Sequence, residues 1–443
     1  MDTPICDFVR NYADGEPLRF HMPGHKGQGS PLDITEIEGA DVLYRAEGII
    51  AQSRENAAML FGAAETFYSA EGSSLCIRAM VFLLRLYAGH QGKPLCLAAF
   101  RNAHRSFVTA CALLDAQVQW LSPKKQENLL SCRLTAEELE GQLNAMAEPP
   151  LALYVTSPDY LGQPADLEML SRICRRRKML LLVDNAHGAY LRFLPRSLHP
   201  MDLGADLCCD SAHKTLPVLT GGAYLHISAT APELFRQQAE QALALFASTS
   251  PSYLILQSLD AANACLEEEF PSKLAAYLPL VASCKEKLQA AGYGIVGQEP
   301  LKLSLSTKPY GWEGVALAAE LEKENIYAEF SDPDYIVFML SPLQEKAALE
   351  RLTNALLVVE RRAPIATLPP PLPVAEQVCS PKEALFAPSE RIAAEQSLGR
   401  VLSDAEVTCP PAVPILMGGQ RIDEAALRCF RYYGHSHLRV IKE

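Results

Sequence analysis

ADLCCDSAHKTL, residues 205–216, passes from an apolar run, Leu207–Cys209, into a polar turn that carries Lys214. The run reads as a short buried strand. A lysine just beyond its end, close behind Ser211 and His213, can be half-buried and lose part of its proton affinity. Desolvated lysines of this kind form imines with aldehydes. Lys214 on its own also reads as a solvated loop lysine, because lysines are mostly exposed. What argues otherwise is its company upstream.

That company starts with a βαβ unit: a strand over 151–156, a helix on Leu167, Leu170 and Cys174, and a second strand, Met179–Val183. The second strand is apolar throughout, as a parallel strand covered on both faces should be. Asp184 follows it at once in DNAHGAY. An acid at the carboxyl end of a central parallel strand sits where open α/β sheets bind ligands, although Asp184 alone also reads as a helix cap or an ion-pair partner. It precedes Lys214 by 30 residues, one comfortable connection between neighbouring strand ends.

Earlier still, Gly72-Ser73-Ser74 follows a short extended piece at Phe67 and Tyr68. It opens a helix whose apolar face is Ile77, Met80, Val81 and Leu84. Free N–H groups at the positive end of a helix suit a phosphate, while Ser73 alone also reads as an ordinary cap. His104, in RNAHRSF, lies between a strand over 95–99 and a helix ending near Leu114. A phosphate-grade helix start, a histidine, an acid and a lysine are the parts of a pyridoxal phosphate site. The lysine holds the aldehyde and the carboxylate keeps the pyridine nitrogen protonated. Ser211 and His213 join the helix start on the phosphate, and His104 stacks on the ring.

The chain of 443 residues is long for one core and predicts two or three domains. A net charge of −12 argues against a nucleic-acid surface. Thirteen cysteines without a repeated CxxC pair, and no charged-then-apolar leader, fit a reduced, cytoplasmic protein. No apolar run reaches membrane-spanning length, and no metal site is expected. The expected organisation is an arm over 1–48 and a large cofactor-binding domain over 49–270. A small α/β domain over 271–362, a proline-rich linker over 363–374 and a C-terminal domain over 375–443 follow. The arm has little helical or strand period. Its HMPGHKG (21–27) carries His21 and His25, which either line a site or belong to a structural wrap. Local signals further along are a capping box at Thr135 and Glu138, a strand over 219–227 containing Gly221 and Gly222, the hydroxyl-rich loop ASTSPSY (247–253), a helix over 312–322, and a helix start at Ser380-Pro381-Lys382-Glu383.

HMPGHKG, GIIAQSRENAAMLFGA, RNAHRSF, DNAHGAY, SAHKTL, TSPSY and VTCPPAVPIL together carry a resemblance. The chain resembles the pyridoxal-phosphate-dependent ornithine, lysine and arginine decarboxylases of aspartate-aminotransferase-like fold (fold type I), in their short bacterial form. The resemblance implies an α/β large domain with a mostly parallel central sheet, a smaller α/β domain and a small C-terminal α+β domain. It implies Lys214 as the imine-forming lysine, Asp184 as the pyridinium partner, His187 as a ring-facing or supporting residue and His104 as the stacking histidine. Ser73, Ser74, Ser211 and His213 become phosphate ligands. Thr249 or Ser250 reaches the phosphate in a neighbouring subunit, so the resemblance implies a homodimer or larger assembly with shared sites.

Three departures from the family pattern bear on function. Glu71 stands beside the phosphate site, Cys76 and Ile77 replace small residues, and Gly418-Gly419-Gln420 replaces a proline-glycine-glutamate whose acid meets the substrate's distal cation. At Gln420 an acceptor remains without its charge. The expected activity is decarboxylation of lysine, arginine or ornithine to an amine used in polyamine synthesis. Transamination, racemisation or aldol cleavage on the same cofactor, or a cofactor-binding homologue without turnover, are the alternatives.

Overall fold

The computed structural model describes residues 1–124, 128–409 and 413–443. Its main sheet is built from β1 (Glu65–Ser69), β2 (Cys96–Phe100), β3 (Gln117–Leu121), β4 (Ala152–Thr156), β5 (Leu180–Asp184), β6 (Leu207–Asp210) and β7 (Ala223–Ile227). Their order in the sheet is β1-β7-β6-β5-β4-β2-β3. β5 and β6 pair in parallel, as do β2 and β3, while β7 runs antiparallel to β6 and β1. This is the mixed, mostly parallel α/β sheet expected. The helices in chain order are α1 (Pro4–Asp14), α2 (Ile49–Phe61), α3 (Ser73–His90), α4 (Arg105–Leu113), α5 (Ala136–Asn144), α6 (Leu167–Arg176), α7 (Ala212–Thr215), α8 (Glu233–Ala244), α9 (Tyr253–Glu268), α10 (Phe270–Ala291), α11 (Gly314–Glu322), α12 (Lys346–Val358), α13 (Pro381–Phe386) and α14 (Glu424–Tyr432). Among the described residues no helix is long and apolar enough to cross a membrane.

The chain packs as two compact units. The first comprises Met1–Lys93, Leu151–Leu153 and Leu167–Ala275; the second comprises Pro94–Pro150, Tyr154–Asp166 and Ala276–Glu443.

In the first unit, α3 buries Leu75, Ile77, Met80, Val81 and Leu84, and all five residues of β7 are buried. Each such apolar side chain contributes roughly 1.5–3 kcal/mol on burial. Phe61 anchors the aromatic core, its ring 4.6 Å from that of His226 and 5.2 Å from that of Tyr224. α2 is capped by Gly62, whose φ of +66° favours glycine. The arm departs from expectation: its first eleven-residue element is α1, which buries Ile5, Cys6 and Val9. The Cys6 N–H bonds Asp260 Oδ2 on α9 at 2.9 Å, a contact 254 residues away in sequence that no local period reveals.

In the second unit, β8 (Gly294–Val296), β9 (Lys302–Ser306), β10 (Phe330–Ser331) and β11 (Tyr335–Met339) form an antiparallel sheet in the order β10-β11-β9-β8. The C-terminal part pairs β12 (Ser389–Ala393) with β15 (His437–Ile441) and β13 (Glu406–Cys409) with β14 (Val413–Met417), around Leu402, Ile415, Leu416 and Phe430. Both expected N-terminal devices are present, capping boxes at Thr135 with Glu138 and at Ser380 with Glu383. Two ranges shift: the expected strand over 219–227 starts only at Ala223, and the helix expected from Trp312 starts at Gly314. Residues 410–412, in the middle of VTCPPAVPIL, lie outside the described residues.

Candidate active site

The first unit gathers five of the candidate residues, Asp184, His187, Ser211, His213 and Lys214, at or just beyond the carboxyl ends of β5 and β6. Asp184 ends β5 opposite Cys209 on β6. It is almost fully buried; Oδ1 accepts the Ala186 N–H at 3.2 Å and the Cys209 S–H at 3.8 Å. Burial, then the neighbouring Asp184 charge, pushes the Cys209 thiol well up, so it stays a donor to that carboxylate. β6 runs into α7, a single helical turn in which the Lys214 N–H bonds Ser211 O at 3.0 Å. The half-buried Lys214 side chain brings Nζ to 3.2 Å from Nε2 of buried His187. An amine held against an imidazole has a proton partner.

The helix start lies against the same turn. Gly72 caps α3 with φ +74°, a conformation L side chains rarely adopt, and no side chain caps the helix. Ser211 Oγ donates to Ser73 Oγ at 2.7 Å, linking the lysine turn to the helix start. The Gly72 N–H bonds Gly221 O at 2.7 Å. Gly221 has φ +102°, and a Cβ there would lie 2.9 Å from Ala70 O. The His213 Nδ1 lies 2.9 Å from Gly222 O. The start of α3 has no side-chain cap and carries the touching hydroxyls of Ser73 and Ser211, a helix end suited to a phosphate dianion, and the turn that brings Ser211 there also carries an amine suited to an aldehyde. These residues fit pyridoxal phosphate.

The departures find places of their own. Glu71 Oε1 accepts the Ser248 N–H at 2.6 Å, so its carboxylate serves the loop at 248–252. Cys76 and Ile77 are buried in the core, and burial pushes the Cys76 thiol up. Thr249 and Ser250 are exposed on the same loop. In the arm, His21 meets the Tyr12 hydroxyl at 2.7 Å and His25 meets Asp33 Oδ2 at 3.1 Å.

Two candidates belong to the second unit. His104 caps α4, its Nδ1 accepting the Ser106 N–H at 3.2 Å. Gln420 is buried, with Oε1 accepting the Met417 N–H at 3.0 Å. It lines a cavity of about 920 Å³ with Arg101, Trp120, Lys124 and the segment 368–375; among the described residues that lining holds no carboxylate. The sequence reading missed Asp210, which ends β6 with two buried histidines around it. The available signal was an acid closing an apolar strand, directly before Ser211.

The model of the family described as Orn/Lys/Arg decarboxylase, major domain, matches residues 29–293. An arginine decarboxylase of Halalkalibacterium halodurans is 30% identical over 99% of this chain and 94% of its own length. One of Bacillus subtilis is 30% identical over 96% of this chain and 92% of its own. Among solved structures, the constitutive lysine decarboxylase of E. coli superposes with a TM-score of 0.77 at 18% identity, covering 100% of this chain and 82% of that one.

Proposed function

The chain belongs to the Orn/Lys/Arg decarboxylase family, pyridoxal-phosphate-dependent enzymes that decarboxylate basic amino acids, and from that premise we propose that arginine is its substrate and that Lys214, His187 and Asp184 are its working groups. What supports arginine is that both relatives at 30% identity, matched over nearly their full length, are named arginine decarboxylases.

The observation that carries the residue roles is the 3.2 Å contact of Lys214 Nζ with His187 Nε2, beside Asp184 on the neighbouring strand end. When bound, pyridoxal phosphate supplies a protonated pyridine ring that takes up the electron pair left on the substrate's α-carbon as carbon dioxide departs. Asp184 would hold the proton on that ring nitrogen, its carboxylate supported by the Ala186 N–H and the Cys209 S–H. Lys214 would hold the aldehyde carbon until the substrate's own amine takes its place, which frees Nζ. His187, 3.2 Å away, would share a proton with the freed Nζ, and Lys214 could then carry that proton to the α-carbon. The start of α3, with Ser73, Ser74, Ser211 and His213, holds the phosphate. For His104 the support is its motif, RNAHRSF.

A homodimer completes this reading, with Thr249 or Ser250 serving the partner's phosphate. Its support is apolar surface on the first unit, where Leu18 is 86% and Phe20 93% exposed. A cytoplasmic location is supported by twelve described cysteines, all free thiols.

The test is release of carbon dioxide from arginine, lysine and ornithine by the purified protein loaded with cofactor. Arginine is expected to exceed the other two by at least roughly 100-fold in kcat/KM, since a site built to hydrogen-bond one polar end group can discriminate by up to about 10⁴-fold or more. Equal or greater release from lysine overturns the substrate, and amine exchange without carbon dioxide overturns the reaction.

A further inference from the structure

Behind the strand ends of the first unit lies a polar group that the chemistry above does not use. Asp210, the last residue of β6, is fully buried, as are His199, His226 and Asn185. Its Oδ2 accepts the Nε2–H groups of His199 at 2.9 Å and His226 at 3.1 Å. Its Oδ1 accepts from Asn185 Nδ2 at 2.6 Å and from the Cys208 S–H at 3.7 Å. His199 Nδ1 accepts the Met201 N–H at 3.3 Å, which leaves Nε2 as the donor. His226 Nδ1 meets the Thr66 hydroxyl at 2.8 Å. Burial alone would raise the Asp210 carboxyl, but His199 and then His226, both hydrogen-bonded to Oδ2, hold it well below the ordinary range. Burial likewise lowers His226.

His199, Cys208 and Asp210 bring ligand-type atoms within 4.8 Å of one another, a spacing open to a metal. Both carboxylate oxygens are already committed to N–H donors, so the network accounts for its own composition. Its location is more informative. Asp184 pairs with Cys209, and the Asn185 N–H continues the ladder to Cys209 O at 2.9 Å. One step further the ladder ends, and the side-chain bond from Asn185 to Asp210 takes over where the turns bearing His187 and Lys214 begin.

We propose that Asp210 is a positioning residue for the cofactor: through Asn185 it fixes the turn that follows Asp184, and through its own peptide it fixes Ser211 and the turn that carries Lys214. The two histidines keep it ionised and aimed at Asn185. The pyridine-facing acid and the aldehyde-holding amine are thereby set at one spacing, and a small misplacement of either is expensive in rate. The inference rests on the reading that Asp184 and Lys214 hold pyridoxal phosphate.

The discriminating variant is Asn185→Ala, which removes the link to the Asp184 turn and leaves Asp210 with both histidines. The expected result is an apo-protein melting temperature near that of the wild type and a cofactor dissociation constant, titrated into apo-protein, raised roughly 10- to 100-fold. In the loaded enzyme kcat falls while KM for the amino acid changes less than about threefold. Asp210→Asn should move both quantities the same way and further. If Asn185→Ala binds cofactor within about twofold of wild type and keeps its kcat, the proposal is overturned, whatever happens to melting. Lys214→Ala separates the two levels: a Lys214→Ala protein that stays fully active sinks the underlying reading. An inactive one beside a normal Asn185→Ala protein sinks only the role of Asp210.

Discussion

Glu71 Oε1 accepts the backbone N–H of Ser248 at 2.6 Å, across 177 residues of sequence. An acid beside a phosphate site would repel the ligand, but here the carboxylate is engaged by the loop that carries Thr249 and Ser250. Removing it should therefore loosen the loop rather than tighten the phosphate site. Glu71→Ala is expected to raise amide exchange at residues 248–250 about fivefold, the effect of one partly solvated charged hydrogen bond of about 1 kcal/mol. Cofactor affinity should change less than about threefold. Affinity rising tenfold or more would show instead that the carboxylate faces the anion.

The pairing of Lys214 with His187 makes two variants distinguishable. Lys214→Ala removes the only amine assigned to the aldehyde and should abolish turnover while leaving the fold intact by circular dichroism. His187→Phe keeps an aromatic of similar size and removes the proton partner at 3.2 Å. It should retain cofactor and lose roughly 100- to 1000-fold in kcat. Equal losses of cofactor in both variants would assign His187 to binding instead.

Much of the scaffold was legible because its signals are local. The two capping boxes each lie within four residues, and the βαβ pattern that delivers Asp184 uses adjacent elements. Ser73 and Ser211 were legible as separate phosphate-type hydroxyls, but their 2.7 Å contact depends on a separation of 138 residues. Helix α1 was passed over although Ile5, Val9 and Tyr12 keep helical spacing behind Pro4; what the local sequence does not show is its partner Asp260, far along the chain. Asp210 was missed for a related reason: His199 and His226 sit 11 and 16 residues away, on no common period, and only the sheet brings them to one carboxylate.

Two acids in the second unit predict how stability depends on pH. Burial raises Asp159 to about 6 and Asp332 to about 7, against ordinary values of 3.8. A carboxyl raised by folding favours the folded state while it is protonated. Folding stability is therefore lost as pH rises from about 4 through about 7, and the penalty is complete above that. Asp332 Oδ1 accepts the N–H groups of Asp334 and Tyr335, while Oδ2 has no hydrogen-bond partner among the described residues. Asp332→Asn keeps the useful acceptor and removes the charge. It should raise stability at pH 8 by about 1–3 kcal/mol and leave it nearly unchanged at pH 5. Calorimetric melting at both pH values checks this, and a variant equally destabilised at both would count against a charged Asp332.

Lys308 holds a different kind of charge. Its Nζ lies 2.8 Å from Asp334 Oδ1 and 2.8 Å from Thr367 O, and both charged side chains are more than nine-tenths buried. The Tyr432 hydroxyl also donates to Asp334 at 2.8 and 2.9 Å, so β11's turn, the proline-rich segment and α14 meet at one ion pair. Desolvation offsets most of the attraction in such a pair, so its net contribution is small, yet stripping one partner leaves a buried charge uncompensated. Lys308→Met alone should cost about 3–5 kcal/mol. Lys308→Met with Asp334→Leu should recover most of that loss, giving a double variant within about 1–2 kcal/mol of wild type. Denaturant midpoints of the four proteins measure the coupling directly. If the double variant falls as far as the sum of the singles, Lys308 acts on stability through packing and not through Asp334.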